Sequence, residues 1–253
     1  MVIMMDKETL IKISKLYNMK PWQQEKHYVQ SLVLVALSEY PMVLKGGTYL
    51  WFFHGLNRFS EDLDFTATGE LPEGLEIKVS ESLRMFGVEN TVKIMTEDDR
   101  GFSFRLSAKG PLNTSEKDLC HVYVEISKRE KVIYPTLPLK FNFDPYELPI
   151  KVVSGMALDE VAAEKIRAIM ARDKARDIYD LVFLFESKSA RFDIDCVNQK
   201  LKYYDLIFSA ELFNKKLEEK KKNWKEELQG LVFGPLLDFD MVASNILKRM
   251  KKH

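Results

Sequence analysis

The sequence predicts an α+β protein: a mixed, mostly antiparallel sheet flanked by helices, followed by a C-terminal helical region. Three observations carry this prediction. The run KGGTYLWFFHGLNRFSEDLDF, Lys45 to Phe65, reads as a strand end, a glycine turn, a helix, a loop and a second strand. Between Asn90 and Ser127, three segments alternate apolar and polar residues and are joined by turn-rich stretches such as Asp98-Asp99-Arg100-Gly101, the pattern of half-buried strands. Beyond Gly155 the apolar spacing becomes helical and stays so to the end. Two domains are expected, residues 1–155 and residues 156–253.

With 253 residues the chain can bury a sizeable core. Thirty-eight Lys and Arg balance thirty-eight Asp and Glu, so any attraction to nucleic acid must be regional. Cys120 and Cys196 lie far apart without metal-ligand spacing and read as buried thiols in a reducing compartment. No apolar run reaches the roughly 20 residues that a membrane span requires. The opening Met1 to Met5 lacks a basic flank and gives way to Asp6-Lys7-Glu8, which does not fit a signal peptide. A cytoplasmic protein is expected.

In chain order, Asp6 to Tyr17 is a short helix, and Pro21 opens a longer one, Trp22 to Ser38. Its apolar arc (Tyr28, Val29, Leu32, Val33) faces the sheet, with Gln23, Gln30 and Ser31 opposite. His27, beside that arc, reads as a surface or packing residue. Met42 to Lys45 is a strand ending at Gly46-Gly47-Thr48, where glycine permits a sharp turn and close approach of a ligand to the backbone. Thr48 is the expected N-cap of the next helix and Gly55 its stop. A helix start of this kind presents free N–H groups that suit phosphate oxygens.

Thirteen residues separate Thr48 from Asp62-Leu63-Asp64, on a strand where alternation puts Asp62, Asp64 and Thr66 on one face. Two carboxylates so placed repel each other unless a hard, oxygen-ligated cation such as Mg²⁺ joins them. After a helix near Ile77 to Phe86, the third of the alternating strands puts Cys120, Val122, Val124 and Ile126 in the core. Glu125, with His121, Tyr123 and Ser127, then faces the side of Asp62 and Asp64. Residues 133–149, rich in proline and aromatics, read as an extended connector before a strand at Lys151 to Val153.

The helix Leu158 to Arg172 carries an anomaly. Leu158, Val161, Ala162, Ile166 and Ile169 form an apolar arc with Glu160, Glu164 and Arg167 opposite, and Lys165 sits inside the apolar arc. A buried ammonium needs an anion, and the expectation is a substrate phosphate. The next helix, Ala175 to Glu186, is apolar nearly all round, with Arg176, Asp177 and Asp180 in a narrow stripe. Helices at 193–208, 210–229 and 238–252 follow. The mixed-sign run Lys215 to Lys222 reads as a solvated face, and the basic end from Lys248 to Lys252 as an RNA contact or a helix terminus.

These blocks resemble the AbiEii/AbiGii-type nucleotidyltransferase toxins, within the polymerase-beta-like nucleotidyltransferase superfamily. The first block is Lys45-Gly46-Gly47-Thr48, Leu50 and Arg58-Phe59-Ser60-Glu61-Asp62-Leu63-Asp64-Phe65; the second is Glu164-Lys165-Ile166, Arg172, Arg176-Asp177 and Asp180-Leu181. The resemblance implies a nucleotidyltransferase fold whose helical domain completes the active-site cleft. It implies an enzyme that moves an NMP from an NTP to an acceptor hydroxyl, the tRNA 3′ end in some members, as a toxin opposed by an antitoxin. Asp62, Asp64 and Glu125 would hold two Mg²⁺ ions. Lys45, Gly46, Gly47, Thr48, Arg58, Ser60 and Lys165 would bind the nucleotide, and Lys165 and Asp177 would join the three acids as catalytic residues. Arg172, Arg176 and Asp180 are open between catalysis and a salt-bridge network.

Two rivals stand beside this reading. A metal-dependent nuclease would want Glu-x-Lys on the third strand, but position 127 is serine and Lys128 falls on the other face. A catalytically silent binding module would keep the fold and not the chemistry, and Mg²⁺-dependent NTP consumption separates it from an enzyme.

Overall fold

The structure, a computed structural model, describes residues 5–251. The expectation about the opening segment therefore falls almost wholly outside the described residues, as does Lys252. The chain forms two compact units. They are not the consecutive stretches 1–155 and 156–253, because residues 45–60 and 132–136 associate with the helices that follow residue 155. Ion pairs and hydrogen bonds from Lys45, Arg58 and the 132–136 strap to those helices account for this.

The first unit holds a seven-stranded sheet. Its strands are β1 (Met42–Lys45), β2 (Leu63–Ala67), β3 (Asn90–Glu97), β4 (Gly101–Ala108), β5 (Cys120–Ser127), β6 (Leu137–Phe141) and β7 (Lys151–Gly155), in the order β3-β4-β5-β2-β1-β7-β6. β3, β4 and β5 are antiparallel, as are β6 and β7, while β2 runs parallel to β5 and β1 to β7. The alternation expected for β5 is present: Cys120, Val122, Val124 and Ile126 are buried, and Glu125 is exposed. Leu63 and Phe65 of β2 and Phe102, Phe104 and Leu106 of β4 bury on the same side as that apolar row. Helix α1 (Lys7–Leu16) is capped by the Asp6 side chain, and α2 (Pro21–Leu37) begins with proline. α2 packs on β5 and α4 (Leu75–Met85) on β3. β6 is a difference from the expected connector; Pro138 is tolerated there because β6 is an edge strand.

α2 is buried nearly all round, so Gln23, Gln30 and Ser31 do not face solvent. A single-turn helix at Asp144–Tyr146 presents the Tyr146 hydroxyl to Gln24 and to His27 Nδ1, the latter at 2.8 Å. Burial pushes the His27 imidazole down to about 3. The unfolded chain takes up a proton near pH 6.5 and the native state only near 3, so stability declines as the pH falls between these values. Wild type is expected to lose about 2 kcal/mol between pH 7 and pH 5 at this position. Urea unfolding at both pH values should show a flatter dependence for His27→Gln; an equal slope would place the acid sensitivity elsewhere.

The second unit contains α3 (Gly46–His54), α5 (Leu158–Ala171), α6 (Arg176–Ser187), α7 (Ile194–Lys202), α8 (Ala210–Glu219), α9 (Trp224–Leu228) and α10 (Phe239–Met250). α5 is its centre, packed by α6, α7 and α8. Little of α5 is left for solvent, and Glu160 and Glu164, expected on an outer arc, are buried. The expected helix at 193–208 stops at Lys202, and that at 210–229 breaks after Glu219. Lys220, read as part of a solvated face, turns inward at that break. Its ammonium donates to the Ile169 carbonyl at 2.8 Å, one of the last carbonyls of α5, which lack intrahelical partners.

Candidate active site

In the sheet unit, β2 and β5 lie in parallel register with Asp64 beside Glu125 and Thr66 beside Ser127. Leu63 and Phe65 anchor β2 in the core, which turns the intervening Asp64 to the opposite face. Asp62 precedes the strand by one residue and is half-buried, like Asp64. Among the described residues no three histidine, cysteine or carboxylate side chains gather tightly enough to enclose an ion. Mg²⁺ is commonly held by one or two carboxylates together with water and substrate phosphate, and an in-register carboxylate pair is that kind of donor set. Lys128 turns away from this face and stands over the Phe102 ring on the core side, so no Glu-x-Lys pair forms.

In the helical unit, the turn corrects one expectation and explains the paired glycines. α3 begins at Gly46 with Lys45 as its N-cap, so Thr48 lies buried within the first turn and not at the cap position. The positive φ belongs to Gly46, at 77°, and not to Gly47. Gly47 is glycine for another reason: a Cβ there would sit 2.5 Å from a terminal guanidinium nitrogen of Arg58 and 2.8 Å from Ser60 Oγ. Gly55, at φ 74°, ends α3 as expected. Gly47→Ala should therefore displace Arg58 and cost about 1 to 3 kcal/mol by overpacking. Calorimetric melting at wild-type temperature would show instead that the guanidinium steps aside freely.

Arg58 is held because its guanidinium grips Asp180 with two hydrogen bonds of 2.6 Å. Asp180 also meets the Lys165 ammonium at 2.7 Å, which in turn contacts Asp177 at 3.0 Å. Asp177 accepts a second forked pair from Arg172, at 2.8 and 2.9 Å. The result is an alternating chain, Arg58–Asp180–Lys165–Asp177–Arg172, buried except at the Arg172 end. Burial pushes the Asp177 carboxyl up, but Lys165 and Arg172 outweigh it and hold the group below the usual carboxylate range. Asp180 is likewise raised by burial and lowered further by Arg58 and Lys165. Two protein carboxylates, and not a substrate phosphate, thus face Lys165 in the free protein. Arg176 takes no part in this chain among the described residues.

A second buried network ties the turn to α5. The Lys45 ammonium reaches Glu164 at 3.1 Å, and Lys200 of α7, fully buried, meets Glu160 at 2.6 Å and Glu164 at 3.0 Å. Glu160 also accepts the backbone N–H groups of Ile133 and Tyr134, which fastens the 132–136 strap. Sequence reasoning missed Lys200, although the signal that exposed Lys165 was there. Lys200 sits in the apolar stripe Cys196, Val197, Leu201, where a lysine needs an anion.

No curated protein matches the chain. Among solved structures, it is similar to JHP933 from Helicobacter pylori, at 22% identity and TM-score 0.62, over 91% of this chain and 92% of that one. It is also similar to MenT4, a nucleotidyltransferase toxin from Mycobacterium tuberculosis, at 20% identity and TM-score 0.66, over 97% and 88%. At these identities the likeness shows a shared fold. The family model described as nucleotidyl transferase AbiEii toxin, type IV toxin–antitoxin system, matches residues 32–245, which include every candidate site residue named above. The chain therefore belongs to the AbiEii nucleotidyltransferase toxin family of type IV toxin–antitoxin systems.

Proposed function

We propose that this nucleotidyltransferase moves an NMP from an NTP to an RNA hydroxyl, the 3′ end of a tRNA being the acceptor implied by the family resemblance. The observation that carries the reading is the parallel register of Asp64 with Glu125, with Asp62 two residues before Asp64. Asp62, Asp64 and Glu125 would hold two Mg²⁺ ions, which supply charge stabilisation at the attacking and leaving oxygens of an in-line displacement.

The helical unit supplies positive charge. Each carboxylate of the buried chain is already neutralised by a forked arginine, so Lys165 leaves that chain with three cations against two anions. The surplus charge suits a triphosphate oxygen, with Asp177 and Asp180 fixing where the ammonium stands. Gly46, Gly47 and Thr48 offer first-turn backbone at the start of α3, with Ser60 beside Gly47. Lys45, tied to Glu164, would border the nucleotide and hold the turn.

As a toxin it would act in the cytoplasm, where NTPs and tRNA are found, opposed by a cognate antitoxin. No helix among the described residues is long and apolar enough to cross a membrane. The test is incubation of the purified protein with total RNA and each labelled NTP in Mg²⁺. Label is expected to enter a defined RNA from one or two NTPs; NTP binding without incorporation would favour a silent binding module.

A further inference from the structure

We propose that the face of the sheet on which Asp64 and Glu125 stand continues into a platform for the acceptor RNA strand, with Arg105 gripping a phosphate and Tyr123 stacking a base. This rests on the acceptor being RNA, as proposed above.

The strand register builds the platform within the sheet unit. On β4, Phe104 and Leu106 are buried, so Arg105 between them points to the opposite face, as do Ser103 and Ser107. Arg105 pairs across with Tyr123 of β5 on one side and Lys93 of β3 on the other. Lys93, Arg105 and Tyr123 thus form one row over three strands. The neighbouring row holds Ser103 beside Glu125, and Glu125 beside Asp64. Successive rows on one face are two residues apart, about 7 Å along the strands. A strand of nucleic acid crossing the platform would therefore reach the carboxylates within about one nucleotide.

Arg105 points to the ligand class. Its Nε is buried without a hydrogen-bond partner, and no carboxylate among the described residues pairs with its guanidinium. Unlike the buried cations discussed above, the half-buried Arg105 has no carboxylate partner among the described residues, which leaves its planar, forked guanidinium for an anion. Phosphate oxygens fit that fork. Lys93 in the same row is exposed and adds positive charge, and the half-buried Tyr123 ring offers a stacking surface that does not depend on base identity. The rest of the face is mainly polar, with Thr91, Thr96, Ser103, Ser107 and His121, and the exposed Met95 at the β3 irregularity does not amount to the apolar centre a protein partner would need.

The experiment measures binding of a fluorescent single-stranded RNA and of labelled total tRNA to the full chain at two salt concentrations, without NTP. NTP affinity and melting are measured alongside. Arg105→Ala is expected to weaken RNA binding about tenfold and flatten its salt dependence. Tyr123→Ala should weaken binding by a similar factor with the salt dependence kept. NTP affinity should stay within about twofold, and Arg105→Ala should melt at or above wild type, because it removes a donor that has no protein partner. Arg105→Lys should recover only part of the affinity. RNA affinity unchanged in both alanine variants overturns the proposal. So does unchanged RNA affinity combined with loss of neutralisation by the cognate antitoxin, which would make the face a protein-docking surface. Because binding is read without turnover, RNA bound by wild type but never extended would overturn the proposed reaction while this platform is still tested.

Discussion

Asp64→Asn is expected to lower nucleotide transfer at least about a hundredfold while the protein stays folded, the scale of losing one ligand's electrostatic stabilisation of a reacting centre. Asp64 stands beside Glu125 on parallel strands, and the backbone is held by its buried neighbours Leu63 and Phe65, which the substitution leaves alone. Asparagine keeps the shape and one acceptor oxygen but removes the charge. The buried neighbours are untouched, so the melting temperature should stay close to that of wild type. Single-turnover incorporation of labelled NTP, paired with a melting curve, reads both quantities. Near-normal transfer by a folded Asp64→Asn protein would remove the carboxylates from the reaction.

The largest stability effect is expected at Asp180. Asp180→Ala takes one anion from a chain of three cations and two anions, and leaves Arg58, 2% exposed, without its forked partner and Lys165 without one of its two. Removing one partner of a buried ion pair typically costs about 3 to 5 kcal/mol. Lys165→Met acts in the other direction on the charge count, bringing the chain to neutrality with both carboxylates still gripped by arginines. Its cost should be below about 2 kcal/mol, while transfer falls steeply and NTP no longer stabilises the protein. Urea unfolding of the two variants side by side decides the matter. If Lys165→Met were the less stable of the two and still transferred nucleotide when folded, Lys165 would be structural.

Much of this protein follows from sequence periodicity. Alternation places Glu125 and the core row of β5 on opposite faces, and a lysine inside an apolar arc marks Lys165 as needing an anion, because side-chain direction along a strand or helix is a local property. Motif spacing likewise brings out the turn at Gly46-Gly47 and the acids at Asp62 and Asp64. Which groups meet across elements is not local. Arg58 and Asp180 are 122 residues apart, and Lys45 and Glu164 are 119 apart, so neither pair leaves a periodic trace. The anion facing Lys165, the reason Gly47 must lack a side chain, and the burial of Glu160 with Lys200 were therefore decided by tertiary packing. With α6, α7 and α8 packed against α5, its charged arc has no open solvent to face, and desolvated charges are stable only where an opposite charge arrives from elsewhere in the chain.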